Sequence, residues 1–174
     1  RGLGDVYKRQ GSYSPYTGIF EGQNHTISGL YFKQENTSEV GFFGYNRGKI
    51  LNVGILDSYF CGFSQVGGVC GYNSSTIANC YNKGVVDGTA DGASSFGGVC
   101  GCNLGILTNC YNTGIVSGQS YVGGVNGYNR NGTIINCNAT GEVNGTDSYV
   151  GGVIGRNLNK GTITNCYYLS LIHI

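Results

Sequence analysis

Residues Val66–Gly88 read VGGVCGYNSSTIANCYNKGVVDG, and this stretch decides the fold. It holds three short β-prone runs parted by Gly-, Asn- and Ser-rich turns, with no apolar period of 3.6 residues. Its opening phrase recurs: copies start at residues 40, 66, 96, 122 and 150, at steps of 26, 30, 26 and 28 residues. The second phrase, TIANCYNKG at 76–84, returns as ILTNCYNTG at 106–114, TIINCNATG at 133–141 and TITNCYY at 162–168, with a degenerate KILNVG at 49–54. A third phrase closes the unit, as GVVDG at 84–88, GIVSG at 114–118 and GEVNG at 141–145. Three strands of roughly five residues plus three turns of about four account for such a period. The prediction is an all-β chain, a three-sided, right-handed parallel β-helix (β-solenoid) with 26–30 residues per coil. A single coil cannot bury its apolar side, so the copies must stack. Propeller blades need a longer period, the leucine ladder of leucine-rich repeats is missing, and a Gly-rich sandwich or prism is the weaker alternative.

Stacking in register turns sequence columns into physical ladders about 4.8 Å apart. Ile50, Ile77, Leu107, Ile134 and Ile163 form one column, assigned to the interior. Two positions on stand Asn52, Asn79, Asn109, Asn136 and Asn165. An amide carries both a carbonyl and an NH2 group, so these five can hydrogen-bond along the array. Cys80, Cys110, Cys137 and Cys166 follow directly. Strict strand alternation would send Ile77 and Cys80 to opposite sides. A bend at the asparagine brings both inward, and that bend is expected. Val66 and Val69 conflict in the same way, which places a bulge or corner at Gly67-Gly68.

The whole chain has 174 residues, 33 Gly, 8 Cys, a single Pro and a formal charge of +1. Ten basic against nine acidic residues exclude an electrostatic nucleic-acid binder. No apolar run is long enough to span a membrane as a helix, so no membrane insertion is expected in this segment. The termini read as processing scars. LSLIHI at 169–174 translates CTGTCTCTTATACACATC, and the reverse complement of that string translates as DVYKRQ, residues 5–10. One short DNA sequence thus accounts for both ends and resembles the transposase end of sequencing libraries. Residues 1–10 and 169–174 are accordingly read as adapter-derived, and the chain as a fragment whose native part is Gly11–Tyr168. Setting aside Arg1, Lys8, Arg9 and Asp5 turns the charge from +1 to −1.

Residues 11–39 are read as a lead-in coil beneath five repeats at 40–168, the last truncated. The composite phrase VGGVxGYNxGTIxNCYNTGxVxG is similar to the GLUG-motif repeats of bacterial cell-surface and secreted proteins. The stretch FEGQNHTISGL at 20–30 resembles the coil that precedes such repeats. The resemblance implies an extracellular or cell-surface bacterial repeat region, as in adhesins and the accessory regions of some immunoglobulin A proteases. It brings no catalytic residues. The first repeat departs from the pattern by replacing Gly-Gly with Gly-Phe and Asn-Cys with Asn-Val, as a boundary coil would.

Chemistry is weighed residue by residue. The cysteine column is read as a ladder of small buried hydrophobes, with limited bridging as its alternative. Zinc is disfavoured because there is no CxxC pair and, outside the terminal stretches, only His25 among histidines. Asp57, Asp87, Asp91 and Glu142 stand in turn-rich positions without a column of their own, so no carboxylate pair is assigned. No catalytic residue, cofactor or metal is therefore expected. Tyr72 and Tyr128 fall in one tyrosine column, and Tyr81 and Tyr111 in another. Stacking between coils explains them, and they are also the candidate ligand face. The reading is a non-catalytic, adhesive, stiff solenoid. Its expected partners are a host glycan or an extracellular protein, with no nucleic acid, and flanking coils of the same polypeptide. The alternative is an accessory substrate-recognition region of a large secreted protease or glycosidase.

Overall fold

Asn52, Asn79, Asn109, Asn136 and Asn165 all take left-handed backbone, with φ of 55°, 56°, 53°, 53° and 51°. Asparagine tolerates that region better than most non-glycine residues, so each marks a sharp bend. The bend points Ile77 and Cys80 of one coil, and Leu107 and Cys110 of the next, to the same fully buried interior. The computed structural model describes residues 14–88 and 91–169. Of the segments 1–10 and 169–174, read above as adapter-derived, all but Leu169 lie outside the described residues.

Every strand pair is parallel, and the strands form three faces. The bent face holds β1 (Ile19–Ser28) and β4 (Lys49–Leu56). Above them it continues as pairs split by the asparagine: β7 (Thr76–Ala78) with β8 (Tyr81–Asn82), and β12 (Ile106–Thr108) with β13 (Tyr111–Asn112). Then come β17 (Thr133–Ile135) with β18 (Asn138–Ala139), and β22 (Thr162–Thr164) with β23 (Tyr167–Tyr168). The glycine face holds β2 (Tyr31–Val40), β5 (Tyr59–Gly67), β9 (Val85–Asp87), β10 (Ser94–Gly97), β14 (Val116–Gly118), β15 (Ser120–Gly123), β19 (Val143–Gly145) and β20 (Val150–Gly151). The short face is β3 (Phe43–Asn46), β6 (Cys70–Asn73), β11 (Cys100–Asn103), β16 (Asn126–Arg130) and β21 (Ile154–Leu158). The described residues contain no helix. A coil passes from short to bent to glycine face. The sides number three, as read from the sequence, but the middle coils divide them into five short strands.

The repeat starts are in register: Val40 pairs with Val66, Val66 with Phe96, Phe96 with Val122 and Val122 with Val150. The VGGV phrase is the corner between the glycine and short faces, so Val66 and Val69 both point inward and are fully buried. Glycine is required there by close approach. A Cβ on Gly97 would lie 2.1 Å from the Cys100 carbonyl oxygen and 2.6 Å from the Gly127 nitrogen. Corners also pair from coil to coil, as in Val69 N–H to Val99 O (3.0 Å) and Val99 N–H to Val125 O (2.9 Å). Few backbone groups are therefore left unpaired.

The interior columns become aromatic at the lower end. There Phe42 and Phe43 replace the small Gly68- and Cys70-type residues and pack edge-on with Phe20, at 5.6 and 5.2 Å between ring centroids. Burying each Phe contributes roughly 1.5–3 kcal/mol. Ile163, the last of the aliphatic column, is 43% exposed, because no described coil lies above it.

Candidate functional site

At the bend the asparagine side chains hydrogen-bond from coil to coil. Asn79 Nδ2 donates to Asn52 Oδ1 (2.8 Å), Asn109 to Asn79 (3.1 Å), Asn136 to Asn109 (3.1 Å) and Asn165 to Asn136 (3.3 Å). Below, Asn52 Nδ2 donates to both carboxylate oxygens of Glu21, at 2.8 and 3.0 Å. These amides, from Asn79 upward, are exposed to solvent.

A second asparagine ladder, not singled out in the sequence, runs through the short face. Asn46 Nδ2 donates to Asn73 Oδ1 (2.8 Å), Asn73 to Asn103 (2.8 Å), Asn103 to Asn129 (2.9 Å) and Asn129 to Asn157 (2.8 Å). Its first four members are fully buried. Each also ties its own turn, as where Gly48 N–H donates to Asn46 Oδ1 at 2.9 Å and Asn46 Nδ2 donates to Gly48 O at 3.2 Å. A short third ladder links Asn82 to Asn112 (2.9 Å).

All eight cysteines are free thiols, and only Cys166 is partly exposed. Within the column, Cys80, Cys110, Cys137 and Cys166 each reach the carbonyl two residues back at 3.2–3.3 Å. Contacts with the thiols of Cys137 and Cys80, together with burial, hold Cys110 well above the usual thiol pKa. Burial raises Cys100 strongly and pushes Cys102 up to about 12. Thiols raised in this way stay protonated near neutral pH and are poor nucleophiles. Among the described residues no three His, Cys, Asp or Glu side chains gather as a metal-binding group.

The four candidate tyrosines occupy two faces. Tyr81 and Tyr111 stack on the bent face at 4.7 Å and 5° between planes, with the Lys83 ammonium 5.6 Å from the Tyr81 centroid. Tyr72 and Tyr128 belong to the short face, in the column Tyr45, Tyr72, Cys102, Tyr128, Arg156. Tyr72 meets Tyr45 edge-on at 4.8 Å, and Tyr128 lies 5.5 Å from Tyr121. The Arg156 guanidinium sits over Tyr149, Tyr121 and Tyr128 at 4.7, 5.0 and 5.8 Å, and donates to Tyr121 Oη at 2.7 Å.

Two further features escaped the sequence reading. Glu39, Gln65, Ser95, Tyr121 and Tyr149, each just before a repeat start, are all left-handed, with φ from 55° to 73°. Nothing in their side chains announces this, although the parity conflict in the VGGV phrase marks the place. The other is a surface cleft at the corner joining the bent and glycine faces, lined by Tyr31, Asp57, Tyr59 and Lys83 among others. Its walls come from three successive coils, so no single repeat displays it. Of the acids weighed in the sequence, Asp57 borders this cleft and Asp87 accepts a hydrogen bond from Tyr59 Oη at 2.7 Å.

Comparison with known proteins agrees with this geometry. The GLUG motif matches residues 64–87, 118–144 and 146–167. The copy that starts at Phe96 falls between matches, yet it pairs in register with both neighbours. A crystal structure described as a "putative immunoglobulin A1 protease from Bacteroides ovatus" is similar, with a TM-score of 0.69 and 25% identity over 92% of this chain. The chain spans about half of that structure, 54% of its length. No curated protein matches.

Proposed function

Because three stretches of this in-register stack match the GLUG motif, we propose that the chain is a non-catalytic, ligand-presenting segment of a bacterial cell-surface or secreted protein. The observation that carries this reading is the in-register pairing of successive coils on all three faces. It commits the inward columns to packing and leaves outward side chains at fixed, coil-spaced positions. A stacked tyrosine pair such as Tyr81–Tyr111 loses little freedom on contact, which is what a binding surface needs. The partner is a host glycan or an extracellular protein.

The likeness to half of the structure described as a "putative immunoglobulin A1 protease" supports a second reading, in which the solenoid is the substrate-recognition region of a larger secreted protease. One experiment separates the two. The purified chain is immobilised and exposed to human immunoglobulin A1, to extracellular-matrix proteins and to a panel of soluble glycans, and the supernatant is inspected for cleavage. Capture of glycans or matrix proteins without immunoglobulin supports adhesion. Selective capture of immunoglobulin A1 supports the recognition region. Cleavage by the chain alone, or the absence of any capture, contradicts the proposal.

A further inference from the structure

The corner from the bent to the glycine face recurs in each coil, but its side chains differ. In the middle coils it carries Lys83-Gly84-Val85 and Thr113-Gly114-Ile115. The two lowest coils instead carry Leu30-Tyr31 and Asp57-Ser58-Tyr59. The lower three corners together line an open surface cleft of about 410 Å³, within the ~300–1,000 Å³ of small-molecule sites.

Its aromatic wall is held rigidly. Tyr31 pairs in register with Tyr59, and the two rings stack at 5.3 Å and 17°. Tyr59 is anchored in turn by its hydrogen bond to Asp87 Oδ2, and burial followed by that bond raises its hydroxyl pKa, keeping it a donor. Tyr31 remains 74% exposed. Ser58 is consumed by the scaffold: its Oγ accepts from Leu30 N–H (3.1 Å) and donates to Leu56 O (2.7 Å). Asp57 and Lys83 form no ion pair among the described residues. The Asp57 carboxylate remains available to a ligand, and the Lys83 ammonium, 5.6 Å from the Tyr81 centroid, has N–H donors to spare for one.

This lining combines a flat exposed ring, the apolar Leu30 and Val85, one acceptor carboxylate and one donor ammonium. An anion would meet Asp57, a cation would meet Lys83, and a wholly apolar ligand would desolvate both charges without compensation. A sugar ring satisfies all the groups together. Its C–H face stacks on the tyrosine, while its hydroxyls donate to the carboxylate and accept from the ammonium. We infer that this cleft is a saccharide subsite that takes a neutral pyranose unit. The inference rests on the ligand-presenting reading above and names where, and for what chemistry, that presentation occurs.

The test is an NMR titration of the isotope-labelled full chain with lactose, cellobiose, mannobiose and chitobiose, and with 3′-sialyllactose as the anionic probe. At least one neutral disaccharide is expected to shift the amides of Leu30, Tyr31, Lys83 and Val85. Tyr31→Ala should weaken that binding roughly tenfold, and Asp57→Asn several-fold. Tyr31 is exposed and asparagine accepts the left-handed backbone of Asp57, so both variants should fold. The cleft is overturned if no neutral probe binds up to about 20 mM, if sialyllactose alone binds, or if Tyr31→Ala leaves the affinity within twofold. Loss of saccharide binding in Tyr128→Ala but not in Tyr31→Ala overturns the cleft and leaves the ligand-presenting reading standing. Protein capture without saccharide binding has the same effect. Absence of any partner defeats both.

Discussion

The column Asn46, Asn73, Asn103, Asn129 and Asn157 is buried for most of its length, whereas Asn52, Asn79, Asn109, Asn136 and Asn165 run along a bend where all but Asn52 are exposed. Both are five residues long, and both are hydrogen-bonded amide to amide from coil to coil. They differ in what asparagine supplies. In the bend it supplies backbone conformation, because each member is left-handed, and water competes for the amide bonds. In the short face the backbone is ordinary strand. There asparagine supplies, from a fully buried side chain, the acceptor for a turn N–H and a second donor to the turn carbonyl, as at Gly48. The ladders even run oppositely: lower coils donate to upper ones inside, and upper coils donate to lower ones outside. An identical column in a sequence can thus have two physical causes, and substitution distinguishes them.

The largest effect is expected inside. Asn103→Leu orphans Asn129 Oδ1 and the Gly105 N–H together, and leaves Asn73 Nδ2 with only its backbone acceptors. At 1–3 kcal/mol for each buried unsatisfied group, this should cost about 3–5 kcal/mol in urea unfolding. Next comes Gly132→Ala, whose methyl would stand 2.3 Å from Asn103 Nδ2 and 2.5 Å from Asn129 Oδ1. Prying that pair apart should cost about 2–3 kcal/mol by the same measurement. Outside, Asn109→Ala is expected to lose only about 1–2 kcal/mol, mainly from placing alanine at φ 53°. Asn109→Gly should recover most of it, and a glycine variant no better than the alanine one would refute the conformational reading.

The smallest effect is that of pH on the lower end of the exposed ladder. The Asn52 amide, and then the Gln23 N–H, hold the Glu21 carboxyl below the ordinary glutamate pKa. A lowered native value means that the contact is complete above the unfolded glutamate pKa and is lost as pH falls through the native one. The Asn52 side-chain amide resonances should move over that acidic range while those of Asn103 stay fixed. Equal movement of both would show that the ladders are coupled.

The fold was legible because stacking imposes period and register on the sequence. The Ile77, Asn79 and Cys80 columns, and the parity conflict at Val66 and Val69, sufficed for three sides, a bend and a corner. The buried ladder was visible only as a loose Tyr-Asn pair. Its turns have different lengths, closing on Gly48 in one coil and on Gly161 in another, which blurs the column where it matters. The left-handed Glu39, Gln65, Ser95, Tyr121 and Tyr149 were illegible for a different reason: the corner geometry imposes that backbone on whatever residue stands there. The Tyr31–Tyr59 cleft lies across the lead-in coil and two repeats, so no alignment of repeats brings it together.

The most direct test of the account is hydrogen–deuterium exchange of the asparagine side-chain NH2 groups, followed by NMR in the native state. The account predicts that Asn73, Asn103 and Asn129 keep their amide protons far longer than Asn79, Asn109 and Asn136, which exchange at once. Equal rates for the two sets, or protection confined to the outer set, would contradict a solenoid held together by one buried and one exposed ladder.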